Sequence, residues 1–343
     1  MNGIAVSGFA VSALLAACGL SIAASRLIAR LVRREPLVLG VRAVVAGLSF
    51  ALLSVGMMVL GALLAAFSAV DSSRGRQLRH RGRTLLAPIR SGAAWSELAM
   101  PNSDEVPDGV PDAWRENGRT EHASVASFAR LTLELLAVGA PASLVAAANL
   151  DGLDEIRHTE ACFALAESLD GRAQSPAPFP EAEKASALPR ARRYALARLA
   201  ITSLIDGAIQ EGVSARVAAK LSRRAVRPAI AAVLEQIARD EGRHAAHAWD
   251  IVEWCLNEGG APVAFALLGA STYLPAYRPS ARREPARVGA WECFGIPGRE
   301  LELEQYMATR GHAVERVGAL VSGSITSLIQ GRALSDSRSA RAS

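Results

Sequence analysis

Two stretches of the chain carry one pattern: Asp154-Glu155-Ile156-Arg157-His158 recurs as Asp240-Glu241-Gly242-Arg243-His244. On a helix, Glu and His three positions apart lie about 60° from each other around the axis, so both can reach one metal ion. A single Glu-x-x-His is weak evidence, because both residue types are common on helix surfaces. Two copies, each preceded by Asp and each in an Ala-rich helical stretch, point to paired metal chemistry. A site between helices also needs carboxylates from the other helices, and Glu121 and Glu211 offer them. Glu121 lies 34 residues before Glu155 and Glu211 lies 30 before Glu241, about one helix plus a turn in each case. Their contexts echo one another, Glu121-His-Ala-Ser124-Val against Glu211-Gly-Val-Ser214-Ala.

The candidate ligands are therefore Glu121, Glu155, His158, Glu211, Glu241 and His244. Four carboxylates and two imidazoles suit Fe(II), Mn(II) or a mixed pair, since hard oxygen with some nitrogen matches those ions. Four Glu charges neutralise two divalent ions, which makes their burial tolerable; without metal the facing carboxylates repel. Open coordination positions on adjacent ions could bind and reduce O2 or a peroxide. Asp154 and Asp240 each precede a ligand Glu and point about 100° away from it. They are expected to orient the imidazole of the opposite hairpin, Asp154 for His244 and Asp240 for His158.

The elements that must hold these residues are helices. Helical periodicity is expected over 112–138, 141–169, 189–224 and 228–257, broken at Gly139-Ala140-Pro141 and ended by Gly259-Gly260. Residues 170–188 hold Gly171, Pro176, Pro178 and Pro180 and cannot be one helix. Short turns make antiparallel pairs, and the long connection lets the second pair pack beside the first, giving an all-α four-helix bundle over 112–257. Residues 85–111, with Pro88, Pro101 and Pro107, are expected to be a linker. Beyond 258 a short helix is expected at 262–268, irregular chain over 271–297, a helix over 300–329 and a frayed tail from 333.

The N-terminal part has a different character. Ile4 to Ala24 is an uncharged apolar run of 21 residues, and Ala43 to Val70 is a second of 28, both long enough to span a bilayer. No basic residue precedes the first run, unlike a secretory signal. Residues 1–84 thus form an expected membrane anchor of two spans. Residues 1–90 hold eleven Arg against Glu35 and Asp71, a surplus of nine in a chain of net charge +5, so residues 91–343 carry a net −4. The basic residues flank apolar runs rather than forming a nucleic-acid-binding domain, which points to lipid headgroups and away from nucleic acid. The Arg cluster from Arg74 to Arg90 slightly outnumbers the one from Arg26 to Arg42, favouring a cytoplasmic globular domain on a bacterial-type inner membrane. The four cysteines show no Cys-x-x-Cys spacing.

The pattern Glu121, Glu155-x-x-His158, Glu211, Glu241-x-x-His244 resembles that of the ferritin-like di-iron carboxylate proteins, the superfamily of rubrerythrins, ribonucleotide reductase small subunits and bacterial hydroxylases, over about residues 112–257. The resemblance implies a bundle with a long crossover between its second and third helices, two Fe ions (or Mn, or one of each) and Glu155 and Glu241 as bridges. It further implies an oxidoreductase using O2 or a peroxide and an external electron donor. Ser214 stands where rubrerythrin-type peroxidases carry an added Glu, and no Cys-pair rubredoxin module is present, which argues against that subgroup. Ferroxidation in iron handling, without an organic substrate, is the alternative; a non-catalytic, metal-stabilised membrane protein is a third.

Other polar residues are expected in plainer roles: Glu134, Glu160 and Asp206 solvated, Asp151 at a surface or channel, His122 and His247 as flanking or hydrogen-bonding groups. Cys162 and Cys255 are expected as small buried groups. The low bulk of Gly207, Ala208, Gly212 and Ala215 fits either close helix packing or room for O2 or substrate, and Gly242 suggests a need for space or mobility.

Overall fold

The computed structural model describes residues 39–67, 75–80, 83–92, 94–95, 106–180, 191–274, 277 and 288–341. The apolar run 4–24 lies outside them. The described chain is all-α apart from short two-stranded ladders. In chain order it comprises α1 (Leu39–Phe67), β1 (Arg79–His80), β2 (Arg83–Thr84), β3 (Ile89–Ser91), α2 (Val110–Val138), α3 (Ala142–Asp170) and β4 (Gln174–Pro176). Then come α4 (Arg192–Thr202), a π-helical segment (Ser203–Ile209), α5 (Gln210–Ser222), α6 (Pro228–Gly259), α7 (Ala261–Thr272), α8 (Val288–Glu292) and α9 (Arg299–Arg341).

Local chemistry sets these boundaries. Pro111 and Pro228 stand in the first turns of α2 and α6, where a missing N–H costs nothing. Gly139 closes α2 at φ 71°, a left-handed conformation that glycine adopts without a Cβ clash, and its N–H reaches back to Leu135 and Leu136 carbonyls. The reversal that follows lays α3 antiparallel along α2, and the far end of this pair is tied by Arg115. That buried guanidinium donates to both carboxylate oxygens of Asp170 at 2.9 and 2.6 Å.

The α4–π–α5 run packs against α6, and α3 also meets α6. The expected single helix over 189–224 is therefore interrupted: Ser203–Ile209 has the wider π winding just before Glu211. Buried apolar side chains form two clusters. The larger includes Phe128, Leu131, Ala148, Ile209 and Ala248; the other includes Trp114, Cys162, Val217, Leu234 and Ile237. On each helical run the expected ligands fall between a member of one cluster and a member of the other, so two dry regions bracket a polar layer. Cys162 and Cys255 are both fully buried in these clusters.

Part of the expected linker packs on the helices. β3 pairs with β4, Arg119 donates to the Ala87 carbonyl at 2.7 Å, and Ala87 is buried. Helix α7 extends to Thr272, longer than expected, because Pro262 to Ala270 is apolar enough to be buried on several sides. The expected irregular stretch 271–297 contains the short helix α8, and α9 continues to Arg341 rather than fraying from 333.

Among the described residues one helix is long and apolar enough to cross a membrane: Ala46–Leu63 within α1 has a mean hydropathy of 2.0, and only 28% of it is buried. Its covered face packs on α7 and α4. The approach to α7 is close: a Cβ on Gly61 would stand 1.9 Å from the Ala266 carbonyl oxygen, and one on Gly269 2.0 Å from that of Met58. Val44, Leu48, Phe50 and Val55 are exposed on the other face.

Candidate metal centre

The structure brings the six sequence-predicted residues into one buried layer. Glu121 comes from α2, Glu155 and His158 from α3, Glu211 from α5, and Glu241 and His244 from α6; each is at most 4% exposed. Their donor atoms form two groups, each mutually within 4.8 Å: Glu121, Glu155, His158 and Glu241, and Glu155, Glu211, Glu241 and His244. Glu155 and Glu241 belong to both. The hairpin repeat thus becomes a pseudo-twofold arrangement in which each Glu-x-x-His lends its carboxylate to both groups.

The imidazoles present the same nitrogen inward. His158 Nε2 lies 3.1 Å from Asp240 Oδ2, and His244 Nε2 lies 3.3 Å from Asp154 Oδ2. These are the crossed pairs expected from the sequence. An Nε2–H donated to a carboxylate leaves Nδ1 with a bare lone pair, the form a metal ligand needs. His158 Nδ1 faces Glu155 and Glu241 at 3.7 and 3.8 Å. The 3.2 Å approach of His244 Nδ1 to Glu155 Oε1 is a close contact without hydrogen-bond alignment.

The outer carboxylates are anchored in turn. Arg243 donates to Asp240 Oδ1 and to Asp154 Oδ2, both at 2.6 Å, and Gln236 donates to Asp240 at 2.8 Å. Arg157 pairs with Asp154 within α3. These arginines were not singled out from sequence, although both copies of the pattern hold Arg at the same place. Asp151, expected near a surface or channel, is buried and lies 2.6 Å from His247 Nδ1. His247 Nε2 is 3.1 Å from the Leu144 carbonyl, so the pair ties α3 to α6.

Whether these residues fit a metal pair can be tested on their orphaned atoms. Glu121 Oε2, both oxygens of Glu155, Glu211 and Glu241, and Nδ1 of His158 and His244 are buried and lack hydrogen-bond partners. Buried polar atoms are rarely left so, and these converge on one small volume. The donor set therefore fits cations.

The charges show how costly the cluster is without them. Burial, then the neighbouring carboxylates, push Glu121 and Glu241 well above the usual range. Burial above all pushes Glu211 up to about 7. Burial also works upward on Glu155, but the facing imidazoles overcome it and hold it at about 2. Burial disfavours both imidazolium ions, yet the carboxylates around them, Asp240 and Glu155 for His158 and Glu155 for His244, raise each to about 9. Protons thus occupy the place cations would take.

Several neighbours differ from expectation. Asp206, expected solvated, pairs with Arg79 at 2.5 Å with 15% of its side chain exposed. Glu134, also expected solvated, is 11% exposed and lies 3.3 Å from Arg198. In both cases a helix face that looks outward in sequence is covered by another segment. His122 is half-buried, its ring 5.1 Å from Trp95 and 5.6 Å from Phe179. Gly207 is needed for packing, since a Cβ there would lie 2.4 Å from that of Ala248 and 2.6 Å from Arg76 Nη2. Gly242 faces open space, so no crowding explains it.

Sequence reasoning missed residues 75–79, which cross the layer on its Glu121–Glu211 side. A Cβ on Gly75 would lie 3.6 Å from Glu121 Oε2 and 3.8 Å from Glu211 Oε2. Gly75, Arg76, Gln77 and Leu78 are buried, and Leu78 N–H donates to the Ala123 carbonyl at 3.3 Å. Only their number of arginines marks this stretch in the sequence, and that signal reads equally as a membrane flank. No family model, curated protein or solved structure matches the chain.

Proposed function

We propose that this chain is a membrane-anchored, ferritin-like di-metal protein, an oxidoreductase that activates O2 or a peroxide at a pair of Fe ions, with Mn or a mixed pair as the alternative occupancy. The observation that carries the reading is the pair of four-residue groups sharing Glu155 and Glu241. When bound, the ions would supply adjacent redox-active Lewis acids with positions open to O2 or peroxide. Glu155 and Glu241 would bridge them, Glu121 with His158 and Glu211 with His244 would complete each end, and Asp240 and Asp154 would fix the imidazoles. The two apolar clusters exclude bulk water from the layer. In this reading α1 and the run 4–24 anchor the protein in a bacterial-type inner membrane, the globular part lies on the cytoplasmic side, and a separate electron donor supplies reducing equivalents.

The test is anaerobic loading of the full chain, in detergent micelles, with Fe(II), followed by O2. About two irons per chain and a transient visible absorption support the oxidoreductase. Continued Fe(II) turnover into a mineral would favour ferroxidation instead. Absence of metal, or full retention of it in Glu121→Ala with Glu211→Ala, would overturn the ligand assignment.

A further inference from the structure

We infer that residues 75–79 are the gate of the candidate centre, a strap across a side of the bundle that helix packing leaves open, with the Arg79–Asp206 ion pair as its latch. This rests on the di-metal reading above, and what passes the gate is a divalent cation or a small oxidant.

The layer of ligands has few ways in. Each ligand is at most 4% exposed, and an apolar cluster closes the bundle on either side of the layer. Around the axis, α2 packs directly on α3, α3 on α6 and α5 on α6. On the fourth side α2 meets the third helical run at α4, and at the level of the centre the strap stands between α2 and α5. Gly75 faces both outer carboxylates there. A Cβ on it would lie 3.2 Å from Ser124 Oγ, 3.6 Å from Glu121 Oε2 and 3.8 Å from Glu211 Oε2. Its φ of 82° is left-handed, so glycine lets the chain run this close to the ligands.

Of these walls the strap is the one displaced at least cost. Its Leu78 N–H donates to the Ala123 carbonyl of α2 at 3.3 Å. On the other flank Arg79 pairs with Asp206 of the π-helical segment at 2.5 Å, with 11% and 15% of the two side chains exposed. Between these ties Arg76 lies over Phe128, its Cζ 5.6 Å from the ring centre, with Nη2 against Gly207. Parting two helices would uncover apolar surface along several turns, whereas releasing the strap breaks local contacts and leaves the helices seated. A cation cannot cross a close-packed interior, so entry to this layer takes a displacement. Gly75 lies against the ligands themselves, so the latch is the part that can be altered without touching the centre.

The test uses the full chain in detergent micelles with Co(II), whose visible bands report occupancy. Uptake is followed after mixing, extraction after adding excess EDTA, and affinity by competition against a chelator. Asp206→Asn and Arg79→Gln should each speed uptake and extraction roughly fivefold, the worth of one partly buried ion pair, while affinity moves less than about twofold. A gate changes both rates together; a role in positioning ligands changes affinity. The double variant should be no faster than either single one, because both remove the same contact. Unchanged rates, or faster extraction matched by an equal loss of affinity, would overturn the gate and leave the metal reading intact. If the variants do not fold, native-state hydrogen exchange of the unmutated chain decides. Amides of 76–79 exchanging ahead of the ligand-bearing helical turns support the gate, and equal protection overturns it. Failure to take up cobalt would overturn the metal reading and the gate with it.

Discussion

At the residue scale, Asp240 and Asp154 hold the two imidazoles of the candidate centre in place. Each accepts from an imidazole Nε2 and is itself held by Arg243. Asp240→Ala, or Asp154→Ala, should lower metal affinity by roughly 10- to 100-fold with the helical circular dichroism unchanged. Competition against a chelator measures this, and equal affinity would end the positioning role. The proton-loaded state gives a second prediction. At pH 7.5, metal uptake should release roughly two to four protons per chain, because the ions displace them from His158, His244 and the raised carboxylates. Calorimetry in buffers of different ionisation enthalpy counts them. The sign for the metal-free protein follows from the same groups. His158 and His244 are raised from 6.5 to about 9, so their stabilisation is full below 6.5 and is lost as pH rises to about 9. Glu211, raised from 4.5 to about 7, loses its share across that lower window. Metal-free protein should therefore melt at lower temperature at pH 9 than at pH 6.5, and bound metal should abolish that slope.

At the element scale, two features decide the arrangement. The first is the π-helical segment, which shifts the phase of the run entering α5 and places Gly207 against both Ala248 and Arg76. The second is the contact of α1 with α7, where glycine lets two backbones meet. Gly61→Leu should cost on the order of 3 kcal/mol or more, since the added atoms meet a carbonyl rather than a side chain that can turn aside. Thermal unfolding of the purified chain in micelles reads this, with Gly47→Leu, which faces open space on the same helix, as the control.

At the scale of the whole molecule, the helices enclose a layer of facing carboxylates and imidazoles between two apolar clusters, so cations should be part of its stability. Metal at about 100 times its dissociation constant should add about 2.7 kcal/mol, visible as a rise in Tm that chelation reverses. Helix α1 is long and apolar enough to cross a membrane. One face is seated on α7 and α4, and the other presents Val44, Leu48 and Phe50 uncovered. The full chain should sediment with membranes and resist alkaline extraction; release by salt alone would show that α1 does not hold it there.

Much of this was open to sequence reasoning because its signals are local. Glu-x-x-His needs only one turn of helix, its repetition is visible without any fold, and Gly139, Pro141 and Gly259-Gly260 mark chain reversals by their own backbone limits. Those signals gave the all-α class, the helical hairpins, the six clustered residues and, at the second of the two expected membrane spans, an apolar helix long enough to cross a bilayer. What the sequence could not decide depends on distant segments meeting. The strap at 75–79 carries no periodicity, and its arginines look the same whether they face lipid headgroups or, like Arg76, lie buried beside Phe128. Asp206 and Glu134 look solvated until Arg79 and Arg198 arrive from elsewhere in the chain. The π winding before Glu211 has no local composition signature, and the neighbours of its Gly207, Arg76 and Ala248, come from distant parts of the chain. Chemistry confined to one helical turn was written in the residues themselves; the environment around it came only from tertiary contacts, since burial and charge pairing belong to the space between segments.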